Sequence, residues 1–379
     1  MRYYLFLILI ILFAGCADNS VEFNGTIAGS TMGTVMIKDA NDNIIFQADV
    51  SGGKFQLKKQ PLGTPGFYTA STLLGGKSLN KFELYLEPGS AYTIAIDTAK
   101  GVIYPEITST SKEQTALSGY YAIYMAAKAE SRKQVMALDS QMQTLGDQAL
   151  RPGEYDVKLQ ELRNRQLDAN KVKMAEVFEA FIKKYPESEI LPHLMINTEY
   201  QLDPVGYYNA FKKLNDDAKS SPEGKVLDEK LKQLTQLAAG GDAPPLEGST
   251  PDGKALDIKS LNKKILLLDF WRARNSQSAD DHSQMISKLL PKYAGKGLGI
   301  VSVSFDDNKD QWLAYIAKGN LNWPQIADLK GDSSPNAEAW GITKIPTYYL
   351  LDGSGHIIKR CIDYYEVQTA LKDYMAKHP

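Results

Sequence analysis

The chain is 379 residues long, 43% hydrophobic and 23% charged, with a net charge of −2. That length supports two or three domains, each able to bury its own core. The charge is near neutral and scattered, which excludes a nucleic-acid-binding footprint. Two cysteines, Cys16 and Cys361, exclude both a disulfide framework and a cysteine-rich metal site.

Met1-Arg2 supplies a short positive start, and Tyr3 to Phe13 is an unbroken apolar run. The run has the length of a signal-peptide core and is too short to span a bilayer. It ends in Phe13-Ala14-Gly15-Cys16, which resembles the lipobox of bacterial lipoproteins. The resemblance implies that residues 1–15 are removed, that Cys16 is lipidated, and that residues 16–20 form a polar tether. The membrane is then a partner through Cys16, and the protein is a lipid-anchored one of the cell envelope, facing the periplasm or the cell surface. The other reading is a plain secretory signal with an incidental cysteine.

Residues 21–110 predict short alternating strands. Phe23 to Ile27, Thr34 to Ile37, Ile44 to Phe46, Lys54 to Leu57, Phe82 to Leu86 and Tyr92 to Ile96 are separated by Gly-, Asn- and Pro-containing turns. That spacing suggests a small β-sandwich-like domain. Its Gly53-Lys54-Phe55 hairpin and Leu86-Glu87-Pro88-Gly89 turn resemble an N-terminal domain that precedes thioredoxin-like domains in envelope lipoproteins.

Residues 111–238 are rich in Lys, Glu, Gln, Ala and Leu and predict a helical region. Between Ala169 and Tyr185, Val172, Ala175, Val177, Phe178, Phe181 and Ile182 share one helical face, and Pro186 stops the helix. Such a stripe marks packing in a spacer more often than a recognition surface. Further helices fit Ser118 to Leu145, Tyr155 to Asn170, Pro192 to Gln201, Val205 to Leu214 and Ser221 to Leu237, and Ala238-Ala239-Gly240-Gly241 reads as a linker.

Residues 241–379 alternate strands and helices, an α/β pattern. A hairpin is expected around Pro251-Asp252-Gly253, then a buried strand from Ile265 to Trp271 broken only by Asp269, and a helix from Ser278 to Tyr293. A second buried strand from Gly299 to Phe305, a helix from Lys309 to Lys318, a hairpin across Gly353-Ser354-Gly355 and a closing helix from Tyr364 to Lys377 complete the domain.

Two motifs in this segment carry a resemblance. Leu268-Asp269-Phe270-Trp271 resembles the strand entering the active site of thioredoxin-like, membrane-tethered thiol–disulfide oxidoreductases, within the thioredoxin/peroxiredoxin superfamily. Trp340 to Thr347 resembles their loop bearing a cis-proline, which implies a groove formed by Trp271, Arg272, Arg274, Ile345 and Pro346. In the family, a Cys-x-x-Cys motif follows at a helix start, where the dipole and free N–H groups lower the first thiol's pKa. Here those positions are Asn275-Ser276-Gln277-Ser278. Neither Asn275 nor Ser278 can form a mixed disulfide, and both are good helix-capping residues. No catalytic residue is therefore expected.

Cys361 remains as a lone thiol, which the resemblance puts close to the groove; a small buried strand residue is the plainer reading. His193, His282, His356 and His378 match no metal spacing, and no phosphate-binding loop or nucleophile elbow occurs. No metal or cofactor is expected. Two functions follow. One is a redox-inactive binding or assembly protein with an envelope protein or peptide as partner. The other is a divergent thiol–disulfide oxidoreductase or antioxidant protein using Cys361 or a partner's thiols.

Overall fold

The computed structural model describes residues 19–98 and 103–378, so the apolar N-terminal run and Cys16 lie outside the described residues. Two compact units emerge: residues 19–191 with Leu214–Ala218, and Pro192–Lys213 with residues 219–378.

In the first unit, eight strands form one hydrogen-bonded series. They are β1 (Ser20–Ala28), β2 (Met32–Lys38), β3 (Ile44–Ser51), β4 (Lys54–Pro61), β5 (Gly66–Leu74), β6 (Lys77–Leu86), β7 (Ala91–Asp97) and β8 (Glu106–Ser109). Their spatial order is β6-β5-β2-β3-β4-β1-β7-β8. The β1–β7 pair is parallel. Between β3 and β4 the register is a single pair, Ser51 with Lys54. The sheet folds over there, and Phe23 of β1 meets Phe46 of β3 with ring centroids 6.0 Å apart. Alternate residues of the strands bury Phe23, Ile27, Val35, Ile37 and Phe55. This is the sandwich-like layer that alternation predicts. Two strands were not legible. β5 buries Ala70, Ser71 and Thr72 in succession, so it shows no alternation. β8 is only four residues long.

Three helices follow: α1 (Lys112–Gln143), α2 (Glu154–Ala169) and α3 (Met174–Lys184). α1 starts earlier than its apolar pattern suggests because Ser111 caps it, accepting from Gln114 N at 3.0 Å. Gln114 is fully buried and welds the helix to the sheet. Its Oε1 accepts from Tyr85 N at 2.9 Å, and its Nε2 donates to the Tyr104 hydroxyl at 3.0 Å. The predicted stripe of α3 packs inward, with Phe178 and Phe181 each 6.3 Å from the ring of Tyr120.

The predicted helical spacer is divided between the units. The second unit begins within α4 (Leu191–Ile196) and includes α5 (Pro204–Phe211); α6 (Asp216–Ser220) spans the division, and α7 (Pro222–Gln236) again lies in the second unit. Then come β9 (Ile265–Trp271), α8 (Ser276–Gln284), α9 (Leu290–Tyr293), β10 (Leu298–Ser304), α10 (Lys309–Gly319), β11 (Gln325–Ala327), α11 (Pro335–Ala339), β12 (Thr347–Asp352), β13 (Ile357–Cys361) and α12 (Tyr364–Lys377). The sheet order is β11-β10-β9-β12-β13. β9, β10 and β11 are parallel, and β12 runs antiparallel to β9 and β13. Every residue of β9 and β10 is buried, as central covered strands require. This is the thioredoxin-like arrangement.

The expected single helix from Ser278 to Tyr293 is α8 and α9 joined by a π-helical turn, Met285–Leu289. Pro291 lacks the N–H an unbroken α-helix would need at that point.

Both edges of this sheet are covered. The segment expected to be a linker runs along β13: Gly240 N donates to Ile357 O at 2.8 Å, and Ile357 N to Gly241 O at 2.7 Å. On the other edge Ser249 and Ala327 exchange two backbone bonds of 3.0 Å. The expected hairpin around Pro251-Asp252-Gly253 is therefore only a turn, closed by Thr250 N donating to Lys254 O at 2.9 Å. Ser249, just before it, satisfies a sheet edge rather than a second hairpin strand. Gly248 makes that possible. Its φ is +125°, and a Cβ there would sit 2.7 Å from the Ala327 carbonyl carbon. Gly248→Ala is expected to cost about 1–3 kcal/mol. Faster hydrogen exchange at Ser249 and Ala327 should accompany the loss, and unchanged protection there would contradict it.

Candidate functional site

β9 ends at Trp271, and the chain turns through Arg272, Ala273 and Arg274 into α8. Asn275 is the N-cap of that helix. Its Oδ1 accepts from Ser278 N at 2.8 Å, and its Nδ2 donates to Ile345 O at 3.3 Å. The Ile345–Pro346 peptide is cis. Asn275 thus stitches the helix start to the Ile345–Pro346 loop, and its polar atoms are spent on backbone. Ser278 is fully buried. Its Oγ has no hydrogen-bond partner among the described residues.

The two arginines differ. Arg272 is bound: Nε donates to Phe305 O at 3.1 Å, and Nη2 meets Asp332 Oδ1 at 2.5 Å. Arg274 is exposed. Asp306 braces the same turn, accepting from Ala273 N at 3.0 Å and from Ser304 Oγ at 2.6 Å. Ile345 is half-buried and Pro346 buried. Trp271 does not line a groove. It is wholly buried with Trp312, Leu321 and Ala327, and its ring packs edge-on against His282 of α8 with centroids 4.9 Å apart, because β9 is covered on both faces.

Cys361 is also enclosed. It pairs with Tyr348 across the β12–β13 hairpin, close to the Ile345–Pro346 loop along the backbone. Its side chain, however, has 0% exposure in the core with Leu350, Val367 and Leu371. Burial pushes its thiol up to about 12. A neutral, enclosed thiol is a poor nucleophile.

Beneath α8 lies a buried polar network that sequence reasoning missed. His282 Nε2 is 2.7 Å from Asp269 Oδ2, which also accepts from Ser302 Oγ at 2.6 Å. Ser302 Oγ accepts in turn from Trp323 Nε1 at 2.8 Å. On the adjoining face of α8, Asp281 accepts from the Tyr348 hydroxyl at 2.6 Å and from Gln277 Nε2 at 2.9 Å. Burial raises the Asp281 carboxyl above its usual range, against the pull of those two donors. Burial likewise raises the Tyr348 hydroxyl, with the nearby Asp269 charge adding to it. One signal was available: Asp269 interrupts an otherwise apolar strand, and a buried carboxylate demands a donor. His282 lies one helical turn beyond Ser278, on the face that meets β9.

The other histidines are elsewhere. His193 contacts Glu223 at 2.8 Å. His356 is half-exposed between Asp242 and Asp352, 3.4 Å from each. His378 stacks on Tyr374 with ring centroids 4.2 Å apart.

The model of the AhpC/TSA family matches residues 239–360. The thiol-disulfide oxidoreductase ResA of Bacillus anthracis is 24% identical over 142 residues, which cover 38% of this chain and 79% of the relative. Protein DipZ of Mycobacterium tuberculosis is 29% identical over 133 residues, 32% of this chain and 18% of that protein. Among solved structures, a thiol-disulfide oxidoreductase from Bacteroides fragilis is 27% identical, covering 35% of this chain and 98% of its own, with a TM-score of 0.32. A thioredoxin-like protein from Bacteroides caccae is 15% identical and covers 60% of this chain and 83% of its own, with a TM-score of 0.44.

Proposed function

Residues 239–360 belong to the AhpC/TSA family and form a thioredoxin-like domain homologous to thiol–disulfide oxidoreductases, and from that premise we propose that this protein keeps the family's scaffold as a binding or assembly module without exchanging disulfides itself. One observation carries the reading. By the resemblance of Leu268 to Trp271 and of Trp340 to Thr347, Asn275 and Ser278 correspond to the family's two thiol positions, and Asn275 is committed to capping α8. A disulfide exchange needs a thiolate that reaches a sulfur, and neither residue supplies one. An oxidoreductase working through Cys361 would need that buried thiol to ionise and reach solvent. The polar end of α8 with exposed Arg274 and half-buried Ile345 is the surface such a module would offer an envelope protein or peptide.

The expected result is dithiothreitol-driven insulin reduction at background for the wild-type protein, unchanged in Cys361→Ser. Activity in the wild type that Cys361→Ser abolishes would overturn the proposal.

The apolar N-terminal run ending at Cys16 supports an envelope location through a lipid anchor. Mass spectrometry is expected to find the mature chain starting at an acylated Cys16. Stable attachment takes more than one acyl chain, since a single chain holds only marginally. An unmodified Cys16, or a retained Met1, would refute the anchor.

A further inference from the structure

In the first unit, the start of α1 and the turn after α3 enclose an open groove of about 350 Å³. Its apolar lining is Ala116 from α1, which is buried, with half-buried Tyr185 and exposed Pro186 from the turn. Tyr185 is seated tightly there, since a Cβ on Gly119 of α1 would fall 2.1 Å from its phenol oxygen. The groove is of the size that holds a small ligand.

Its polar lining is largely hydroxyl, from Thr110, Ser111, Thr115 and Ser188, and two of its three charged side chains are acidic. Glu113 is half-buried in the lining, accepting from Ser188 Oγ and from Glu189 N, the latter at 3.2 Å. Glu187 stands at the rim, and Glu87 and Glu189 lie near enough to act on the Glu113 charge. Against these four carboxylates stand Lys112 in the lining and Lys184, whose Nζ is 5.2 Å from the Tyr185 ring centroid. The positive end of α1 offsets about half a charge more. The balance stays negative, beside that apolar lining.

We propose that this groove binds a primary alkylammonium group, the chemistry shared by a lysine side chain and a free aliphatic amine, with Glu113 as its counter-ion. The apolar stem lies against Ala116, Tyr185 and Pro186, and the ammonium meets Glu113 with Glu187 behind it. Anions are repelled by the same carboxylates, and a neutral alcohol gains only the apolar lining. Burial already holds the Glu113 carboxyl above its usual range, opposed by its two donors and reinforced by Glu87 and Glu189. A cation in the groove relieves that penalty.

The test is a saturation-transfer NMR titration of the full chain with n-butylammonium, using n-butanol as the neutral isostere. Butylammonium is expected to bind saturably and about tenfold more tightly than butanol, the worth of one charge-assisted hydrogen bond. Glu113→Gln, which keeps a side chain able to pair with Ser188, should erase that difference. Glu187→Lys reverses a rim charge on an exposed residue and should weaken butylammonium without unfolding the protein. A capped Ala-Lys-Ala peptide binding tighter than butylammonium marks a polypeptide lysine as the source, and weaker binding marks a free amine. Equal affinity for butanol and butylammonium, or butylammonium binding unaltered in both variants, would overturn the proposal.

Discussion

His282→Ala is expected to destabilise the thioredoxin-like unit by about 3–5 kcal/mol, because it leaves a buried acidic side chain without its hydrogen-bond partner and opens a cavity. His282 and Asp269 are both buried, and their contact is 2.7 Å. Without the imidazole, the Asp269 carboxylate faces the Ser302 hydroxyl in a site closed to water. The imidazole also fills space: its ring centroid is 4.9 Å from Trp271 and 5.9 Å from Trp323. Urea unfolding followed by tryptophan fluorescence suits the measurement, because Trp271, Trp312, Trp323 and Trp340 all lie in the second unit. Replacing both partners by apolar residues of similar volume, Asp269→Leu with His282→Phe, should cost less than His282→Ala alone. A loss below about 1 kcal/mol for the single variant would show that the pair is not what holds α8 to β9.

The second large effect is a gain of chemistry. The double variant N275C/S278C should form an intramolecular disulfide and catalyse insulin reduction measurably above the wild type. Position 275 is the N-cap of α8 and position 278 lies in its first turn, fully buried. A thiol at 275 meets the positive helix end, and its pKa should drop from about 8.5 into the range of roughly 3.5–7.5 seen for such sites. A thiol at 278 would be shielded from solvent and positioned to resolve a mixed disulfide. The substitution removes the Asn275 cap and its link to Ile345 O, costing about 1 kcal/mol of helix stability. Thiol titration by iodoacetamide across pH checks the first thiol directly. A thiol at 275 that titrates at its ordinary pKa would mean that α8 no longer presents its N-terminus as the family's helix does.

The identity of the C-terminal domain was legible because two short motifs, Leu268 to Trp271 and Trp340 to Thr347, bracket one site and stand at the separation the fold requires. That residues 275 and 278 carry no thiol was equally legible, since residue type alone decides whether a thiolate can exist. Strand positions followed wherever one face is buried, as in Phe23 to Ile27, and failed where both faces are, as in Ala70 to Thr72 of β5. A three-residue strand such as β11 has no period to read. It exists because Ser302 to Ser304 of β10 and Ser249 offer it partners.

What the sequence determined by itself, then, was local: the apolar N-terminal run, the alternation of strands, the helical stripe of α3, and the absence of a reactive pair at 275 and 278. What only the tertiary structure decided was which polar groups meet. Asp269 could be seen as an interruption in an apolar strand, yet its partners His282 and Ser302 come from a helix and a neighbouring strand 13 and 33 residues away. Trp271 reads as a groove residue through the resemblance of Leu268 to Trp271, and folding buries it against Trp312. Cys361 reads as close to the site, and folding seals its thiol in the core under α12. Burial and partnership are properties of packing between distant segments, and no local pattern carries them.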